Sequence, residues 1–256
     1  MLDASHSTHD RDLATSDTID LSIIVPVLNE SGVISRTLRQ LQAMRKRGVQ
    51  VIVVDGGSHD ATLIECNPLA DEVCSSEPGR ACQMNYGAQI ARGDVLLFLH
   101  ADTLLPEVAD QIVMRALGKL EQNDIGKSPD RACSQKEWGR FDVIISGRHP
   151  MLAVIGLLMN LRSRLTGIAT GDQGIFVSRR LFNTIGGFPD QPLMEDIAMS
   201  TLLKSHCKPA CLREKVITSG RRWETRGIWR TIGLMWYLRW RYWRGESPET
   251  LAQRYR

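Results

Sequence analysis

Three carboxylates follow three apolar segments of this 256-residue chain, and their placement gives the first indication of chemistry. Glu30 ends VPVLNE, Asp55 ends VIVVD, and Asp102 follows LLFLHA. A carboxylate at a strand end can accept a hydrogen bond from a ribose hydroxyl or a base N–H, or it can ligate a hard cation. Asp55 alone is equally well explained as a turn acid that caps the next helix. Three such turns on successive strands indicate a ligand site.

The segments that position these acids alternate between strand and helix patterns. This alternation predicts an α/β fold, a mostly parallel sheet with helices on both faces. Ligands of open α/β sheets bind outside the carboxyl ends of the strands, so the three acids are expected at one edge. The expected strands are 21–27, 49–54, 95–99, 141–146 and 174–178, and the expected helices are 33–47, 82–91, 106 to about 120, one after Pro150, and 196–204.

Composition and charge narrow the class of protein. The chain is 43% hydrophobic and 24% charged, which is enough to bury a core and excludes the disordered class. A net charge of +3 is too small to indicate nucleic-acid binding. Six cysteines without a CxxC pair are interpreted as reduced thiols and not as a zinc site. Residues 1–20 are polar, lack the apolar segment of a signal peptide, and are predicted to be a disordered extension.

Longer motifs point to one family. No GxGxxG follows the first strand and there is no GxxxxGK[ST], which excludes the dinucleotide-binding and P-loop classes. From residue 21 to about 225 the chain instead resembles the family 2 inverting glycosyltransferases of GT-A fold. The motifs in family order are SIIVPVLNE (22–30), VIVVDGGSHDAT (51–62), GRACQMNYGA (79–88), LLFLHADT (96–103), IGGFPD (185–190) and MEDIAMS (194–200). HADT, GDQGIF and SGRRWE also resemble a small bacterial subgroup associated with arsenosugar or carotenoid-ester glycosylation.

The resemblance implies a nucleotide-sugar donor and assigns residues to it. Asp55 matches the acid that recognises the base, commonly uracil, so a UDP-sugar is the expected donor. Residues around the donor sugar and the departing nucleoside diphosphate are expected to include Asp172, Arg221 and Arg222, although the two arginines are equally well explained as a solvated basic patch. The other positions that match nucleotide contacts are Pro26, Asn29, Glu30, Arg80 and Asn85.

A metal site is implied at the third strand end. Asp102 matches the last acid of the family's DxD motif, which binds the divalent metal that bridges the two phosphates. Mg²⁺ or Mn²⁺ is therefore the expected cofactor, and one carboxylate is acceptable because Mg²⁺ takes few protein ligands. The chain reads His100-Ala101-Asp102 in place of Asp-x-Asp. His100 would then face the ribose, where an imidazole can still bond a hydroxyl, or it would be a buried structural histidine.

The MEDIAMS motif is expected to supply the general base of the reaction. Inverting transfer needs one base that takes the proton of the acceptor hydroxyl as its oxygen attacks the anomeric carbon. Asp196 matches the family's base at a helix N-terminus, with Glu195 beside it. The alternative, that Asp196 serves as the N-cap of the helix, does not exclude this role. Gln173, next to Asp172, is a further expected contact of the acceptor or the sugar.

The C-terminal residues 226–256 are predicted to form an amphipathic helix and tail rich in aromatic and basic residues. From Arg221 onward there are nine arginines, no lysines and three acids. An apolar stripe at helical spacing consists of Trp229, Ile232, Trp236, Trp240 and Trp243. The helix would either pack on the domain or lie on a membrane that holds a lipid acceptor.

Together these patterns predict a single GT-A domain over residues 21–225. Its nucleotide-binding half is expected at 21–120 and its acceptor half at 137–225, with a loop or insertion at 121–136. The predicted activity is metal-dependent inverting transfer to a small-molecule or lipid acceptor, in the cytoplasm or at the inner face of the membrane. The alternatives are a nucleotide-sugar-binding protein that has lost catalysis and a sugar-phosphate nucleotidyltransferase.

Overall fold

A computed structural model describes residues 20–119 and 136–255. The strands are β1 (Leu21–Val27), β2 (Gln50–Asp55), β3 (Glu72–Ser75), β4 (Val95–Phe98), β5 (Thr103–Leu104), β6 (Trp138–Ser146), β7 (Ile175–Ser178) and β8 (Ala210–Ser219). The helices are α1 (Ile34–Lys46), α2 (Thr62–Cys66), α3 (Arg80–Ile90), α4 (Ala109–Ala116), α5 (Met151–Thr166), α6 (Arg179–Thr184), α7 (Glu195–His206), α8 (Arg221–Arg226), α9 (Ile228–Trp243) and α10 (Pro248–Tyr255).

The strands form one sheet in the order β3-β2-β1-β4-β7-β6-β8-β5. β3, β2, β1 and β4 are parallel, as are β6 and β8, whereas β7 runs antiparallel to both of its neighbours and β5 runs antiparallel to β8. The predicted α/β fold with a mostly parallel sheet is confirmed. The sequence pattern did not reveal β3, β5 and β8, which are short or only partly buried.

Helices cover both faces of the sheet because the central strands are apolar on both faces. Ile23 and Val25 of β1 lie in one fully buried cluster with Leu38 of α1. Ile24, between them, points to the opposite face and lies in a second cluster with Met84 of α3. The alternation of side chains along a strand therefore anchors a helix on each face.

Several predicted bounds are corrected by the structure. β6 begins at Trp138 and not at 141, and α4 covers 109–116 within the predicted 106–120. The predicted extension at 1–20 and the insertion at 121–136 fall almost wholly outside the described residues. No helix in the described ranges combines the length and the hydropathy needed to cross a bilayer.

The C-terminal segment forms two helices, α9 and α10, where one was predicted. α9 packs on the domain with Ile228, Thr231 and Leu238, which are buried. The four tryptophans of the predicted stripe are exposed. Helix α9 therefore packs on the domain through a different face from the one that carries the tryptophans.

Candidate active site

The three strand-end acids lie at one edge of the sheet, as the order of the strands requires. Val27 at the end of β1 pairs with Asp55 at the end of β2, and β4 lies on the other side of β1. Burial raises the pKa of Glu30, Arg221 opposes this rise, and the nearby charge of Asp102 adds to it. Glu30 and Asp102 thus lie close enough for their charges to interact.

Asp55 organises the loop that follows its own strand. The residue is 2% exposed, and its carboxylate accepts hydrogen bonds from the N–H groups of Gly57 and Ser58 at 3.0 and 2.9 Å. The hydroxyl of Ser58 also donates to it. Asp55 thus stabilises the turn after β2 but does not cap α2, whose N-cap is Ala61, and contact of Asp55 with a base stays a prediction.

The loop after β1 is joined to the loop after β2. Asn29 adopts a positive φ of 53°, its N–H donates to the Ser58 hydroxyl at 2.8 Å, and its side-chain oxygen accepts from the N–H of His59 at 2.9 Å. The N–H of Glu30 donates to the Thr62 hydroxyl at 2.8 Å. Pro26 lies within β1. The two predicted nucleotide loops are therefore joined by hydrogen bonds at the carboxyl ends of β1 and β2.

Gln83 is a positioning residue that the sequence analysis missed. Its buried amide nitrogen donates to the carbonyl oxygens of Val27 and Val54, both at 2.8 Å. A Cβ at Gly56 would lie 3.1 Å from the Gln83 side chain, so the loop packs closely on this amide. Gln83 ties α3 to the ends of β1 and β2. Its signal in the sequence is a polar residue on the buried face of a helix.

His100 pairs with Asp172 across the cleft. Nδ1 of His100 lies 3.1 Å from Oδ1 of Asp172, and since an ionised carboxylate only accepts, this contact requires a proton on Nδ1. Burial disfavours the charged form of Asp172, but the bond from His100 and the charges of His100, Arg80 and Arg222 outweigh it and lower the pKa of Asp172. A Cβ at Gly171 would collide with the imidazole. His100 therefore supports the turn at Gly171–Gln173, and its contact with a ribose stays a prediction.

Asp196 lies in the first turn of α7 and is held by the same turn. The N-cap of α7 is Met194, at a φ of 65°, so the alternative of Asp196 as N-cap is wrong. The N–H groups of Gly171 and Ile197 donate to the two oxygens of Asp196 at 3.0 and 2.7 Å. Burial, aided by the charge of Glu195, raises the pKa of Asp196 to about 6.

The two neighbouring acids of α7 have different partners. The buried carboxylate of Glu195 lies 3.1 Å from Nη1 of Arg80, whose side chain is 47% exposed. Glu195 thereby holds a cation of α3 at the cleft, whereas the carboxylate of Asp196 bonds only to backbone N–H groups among the described residues. The small pocket between these groups is lined by Arg80, Met84, Phe98, His100, Gly171, Ile175, Phe188, Glu195 and Asp196.

The two arginines of α8 have separate surroundings. Nη2 of Arg221 lies 3.3 Å from Oε2 of Glu30, which joins α8 to the loop after β1. Arg222 lies over the ring of Tyr255 at 5.2 Å. Partial desolvation lowers the pKa of Arg222, and the positive charge of Arg80 lowers it further. Both arginines of α8 are exposed, so the solvated-patch interpretation and the contact with a diphosphate both stay predictions.

Asn85 positions the IGGFPD loop. Its amide nitrogen donates to the carbonyl of Phe188 at 2.9 Å, and the N–H of Phe188 donates to its amide oxygen at 2.8 Å. Phe188 packs edge-on against Phe98 with ring centroids 4.8 Å apart. The amide is thus used by protein backbone, and packing of Asn85 beneath a nucleotide stays a prediction.

Two residues that were predicted to contact the ligand are buried. Ala101 is 5% exposed, and its carbonyl accepts from the Thr37 hydroxyl at 2.7 Å. Gln173 is fully buried, and its side-chain oxygen accepts from the N–H of Thr170 at 3.2 Å. Burial corrects the expectation of a direct sugar or acceptor contact for Gln173, whereas the side chain of Asp172 in the same turn is 42% exposed.

The fold is shared with solved glycosyltransferases. S. aureus TarS in complex with UDP-GlcNAc matches with a TM-score of 0.59 at 18% identity, over 78% of this chain and 58% of that one. The mannosyltransferase PcManGT from Pyrobaculum calidifontis, in complex with GDP-Man and Mn²⁺, matches with a TM-score of 0.54 at 22% identity, over 77% of this chain and 56% of that one. The architecture is that of a GT-A glycosyltransferase, as predicted.

Residues 22–180, more than half of the chain, match the family described as Glycosyl transferase family 2. The chain belongs to this family. A PGL/p-HBAD biosynthesis glycosyltransferase of Mycobacterium bovis is 30% identical over 178 residues, which cover 65% of this chain and 62% of the relative. A Mycobacterium tuberculosis glycosyltransferase is 40% identical over 107 residues, 39% of this chain and 40% of the relative. The chain thus spans less than two thirds of these curated relatives.

Proposed function

We propose that this protein is an inverting glycosyltransferase that moves a sugar from a nucleoside-diphosphate sugar to an acceptor, with Asp196 as the general base. The observation that carries the proposal is the environment of Asp196. Its carboxylate is oriented by two backbone N–H groups and lines the same pocket as Arg80 and His100. A pKa raised to about 6 suits a base that must be ionised near neutral pH and still accept a proton.

The donor is expected to lie along the edge formed by the first two loops. Asp55 and the loop that contains Asn29 and Glu30 offer carboxylate and backbone groups for a base and a ribose. Two of the structural neighbours are described in complex with UDP-GlcNAc and with GDP-Man, which supports a nucleotide sugar for this chain. UDP remains the nucleotide expected from the resemblance.

The residues present fit a hard divalent cation. Asp102 follows β4 at the edge of the sheet that Glu30 also occupies, and its negative charge contributes to the raised pKa of Glu30. Carboxylate oxygens beside the expected diphosphate are the donors that Mg²⁺ and Mn²⁺ prefer, and Mg²⁺ needs only one or two of them. Asp102 would hold the metal, with Glu30 as its neighbour. When bound, the metal would neutralise charge on the diphosphate.

The reaction follows from these groups. The acceptor oxygen forms a bond to the anomeric carbon while its proton moves to Asp196. The bond between that carbon and the phosphate oxygen breaks, and its electron pair leaves with the nucleoside diphosphate. Arg80 and Arg222 are the cations proposed to stabilise the charge of the departing diphosphate. Because the oxygen attacks opposite the leaving group, the anomeric configuration inverts.

The test combines calorimetric donor binding with turnover. We expect one of UDP, GDP and ADP to bind wild-type protein in the presence of Mn²⁺, and binding to be lost in Asp102→Ala. The corresponding nucleotide sugar should be turned over by the wild type. Asp196→Asn should keep donor binding and lose about 10²- to 10⁴-fold in kcat, the range that general bases contribute.

Asp94→Asn is the matched control. Asp94 precedes β4 at the opposite edge of the sheet, where its carboxylate lies 3.6 Å from Lys119. This variant should keep wild-type binding and turnover. Donor binding without turnover in the wild type would establish the alternative, a binding protein that has lost catalysis. Incorporation of a nucleotide from its triphosphate would establish the nucleotidyltransferase alternative.

A further inference from the structure

Helix α5 is apolar on two opposite faces. Leu152 and Ile155 pack inward beneath the sheet. On the other side, at spacings of three and four residues, Val154, Leu157, Leu158, Leu161 and Leu165 are all exposed, Leu165 by 78%. A helix that is apolar on all sides is normally buried on all sides. An exposed stripe of five aliphatic side chains therefore indicates a surface that binds something apolar.

Helix α9 carries a second exposed apolar face. Its inward side is formed by Ile228, Thr231 and Leu238. The tryptophans that point away from this side are exposed by 50–80%, and they are Trp229, Trp236, Trp240 and Trp243. Tryptophan has an apolar ring with one polar N–H, which suits the boundary between water and an apolar phase.

The two helices are parts of one unit beside the cleft. Ile155 of α5 and Ile228 of α9 lie in the same buried cluster. α5 leads within five residues to the Gly171 turn that holds Asp196. Leu238 of α9 packs with Met194, the residue that precedes α7. Whatever binds the exposed faces is therefore brought close to the pocket.

The charges beside the tryptophans identify the kind of partner. Nine arginines against three acids follow residue 220. The guanidinium of Arg244 lies over the ring of Trp240 at 5.5 Å, and Arg230 and Arg241 lie on the same helix off the tryptophan stripe. Apolar and aromatic side chains bordered by arginines are complementary to the interface of a bilayer that carries negative headgroups.

We propose that the exposed faces of α5 and α9, here called the Leu–Trp surface, bind an anionic phospholipid bilayer. The helices lie on the bilayer and do not cross it, since neither is long and apolar enough to span. Binding in this way brings the pocket to the membrane. Together with the proposed function, on which this part of the inference rests, binding to a bilayer selects an acceptor carried by a lipid.

Vesicle sedimentation tests the Leu–Trp surface without any catalytic reaction. The probes are vesicles of pure phosphatidylcholine and vesicles that also contain phosphatidylglycerol. We expect the full chain to bind the anionic vesicles at least tenfold more tightly than the neutral ones. Two combined variants, Trp236→Ser with Trp243→Ser and Leu161→Ser with Leu165→Ser, should each lose at least tenfold in binding.

The control is Ile64→Ser on α2, a similarly exposed apolar residue at 76% that lies outside the Leu–Trp surface. It should bind vesicles as the wild type does. Equal binding by the wild type and both combined variants, or no binding to anionic vesicles, would overturn the proposal. So would a dimer that forms without vesicles and is lost in the same variants, because a second copy would then cover the surface. Donor binding is measured separately, so either proposal can fail alone.

Discussion

The backbone N–H of Gly171 donates to Oδ2 of Asp196 over 3.0 Å and thereby joins the turn after α5 to the first turn of α7. The side chain beside it in this turn, Asp172, is held by His100 at the end of β4. The proposed base is thus oriented by a turn whose own position depends on the third strand end.

The pH dependence of turnover should report on Asp196. Its pKa is raised to about 6, so kcat/KM should fall as the pH is lowered through this value, since the protonated carboxyl cannot act as a base. Glu195→Gln removes a negative charge that raises this pKa, and should move the acid limb to lower pH by about 0.5–1 unit. A pH–rate profile measures both. An unchanged limb in Glu195→Gln would contradict the assignment, and Asp94→Asn serves as the control.

Arg222 should bind the diphosphate and not the nucleoside. Arg222→Ala is expected to weaken binding of UDP or GDP about tenfold, the loss of one charge-assisted contact of about 1.4 kcal/mol, because its cation lies near Arg80 in the cleft. Arg226→Ala is the matched control, since Arg226 lies over the same Tyr255 ring at 5.8 Å. Calorimetry with the nucleotide and with the nucleoside separates the two parts. Equal losses in both variants would refute the role.

His100 should not be replaceable by the aspartate of the DxD motif. His100→Asp places a carboxylate against Asp172, and repulsion with loss of the hydrogen bond should lower the free energy of unfolding by about 1–2 kcal/mol at pH 7. Adding Asp172→Asn should recover part of that loss, because an amide can donate to the new carboxylate. Urea unfolding of the single and double variants measures the coupling. Additive effects would exclude a direct interaction.

The IGGFPD loop should be sensitive to size at one glycine and not at its neighbour. Gly186 and Gly187 have φ values of 80° and 81°, so alanine is strained at both. A Cβ at Gly187 would lie 2.7 Å from Oδ1 of Asn85, whereas a Cβ at Gly186 meets nothing within 4 Å. We expect Gly186→Ala to cost about 1 kcal/mol and Gly187→Ala about 2–3 kcal/mol. Urea unfolding measures both values. Similar decreases in the free energy of unfolding for the two variants would mean that the Asn85 side chain moves away from the added Cβ without destabilising the protein.

The local sequence pattern was sufficient to predict which side chains lie at the ends of the central strands. Apolar runs identify β1, β2 and β4, and in a parallel sheet their carboxyl ends must meet at one edge, which brings Glu30, Asp55 and Asp102 together. The motif match placed Asp196 at the start of a helix, and it lies in the first turn of α7. The strand ends need only periodicity and chain order, which a single sequence contains, whereas Asp196 was assigned from the family resemblance.

Contacts between distant segments were decided by the tertiary structure. Three sets of hydrogen bonds join residues that are far apart in the chain. They connect His100 with Asp172, Gln83 with β1 and β2, and Asn85 with the backbone of Phe188. The tryptophan spacing of α9 showed a stripe but not which side faces water, because another apolar face of the same helix competes for the core. Sequence by itself determined which groups reach the edge of the sheet. Packing determined their partners, since hydrogen bonds and burial depend on side chains brought together only by the whole fold.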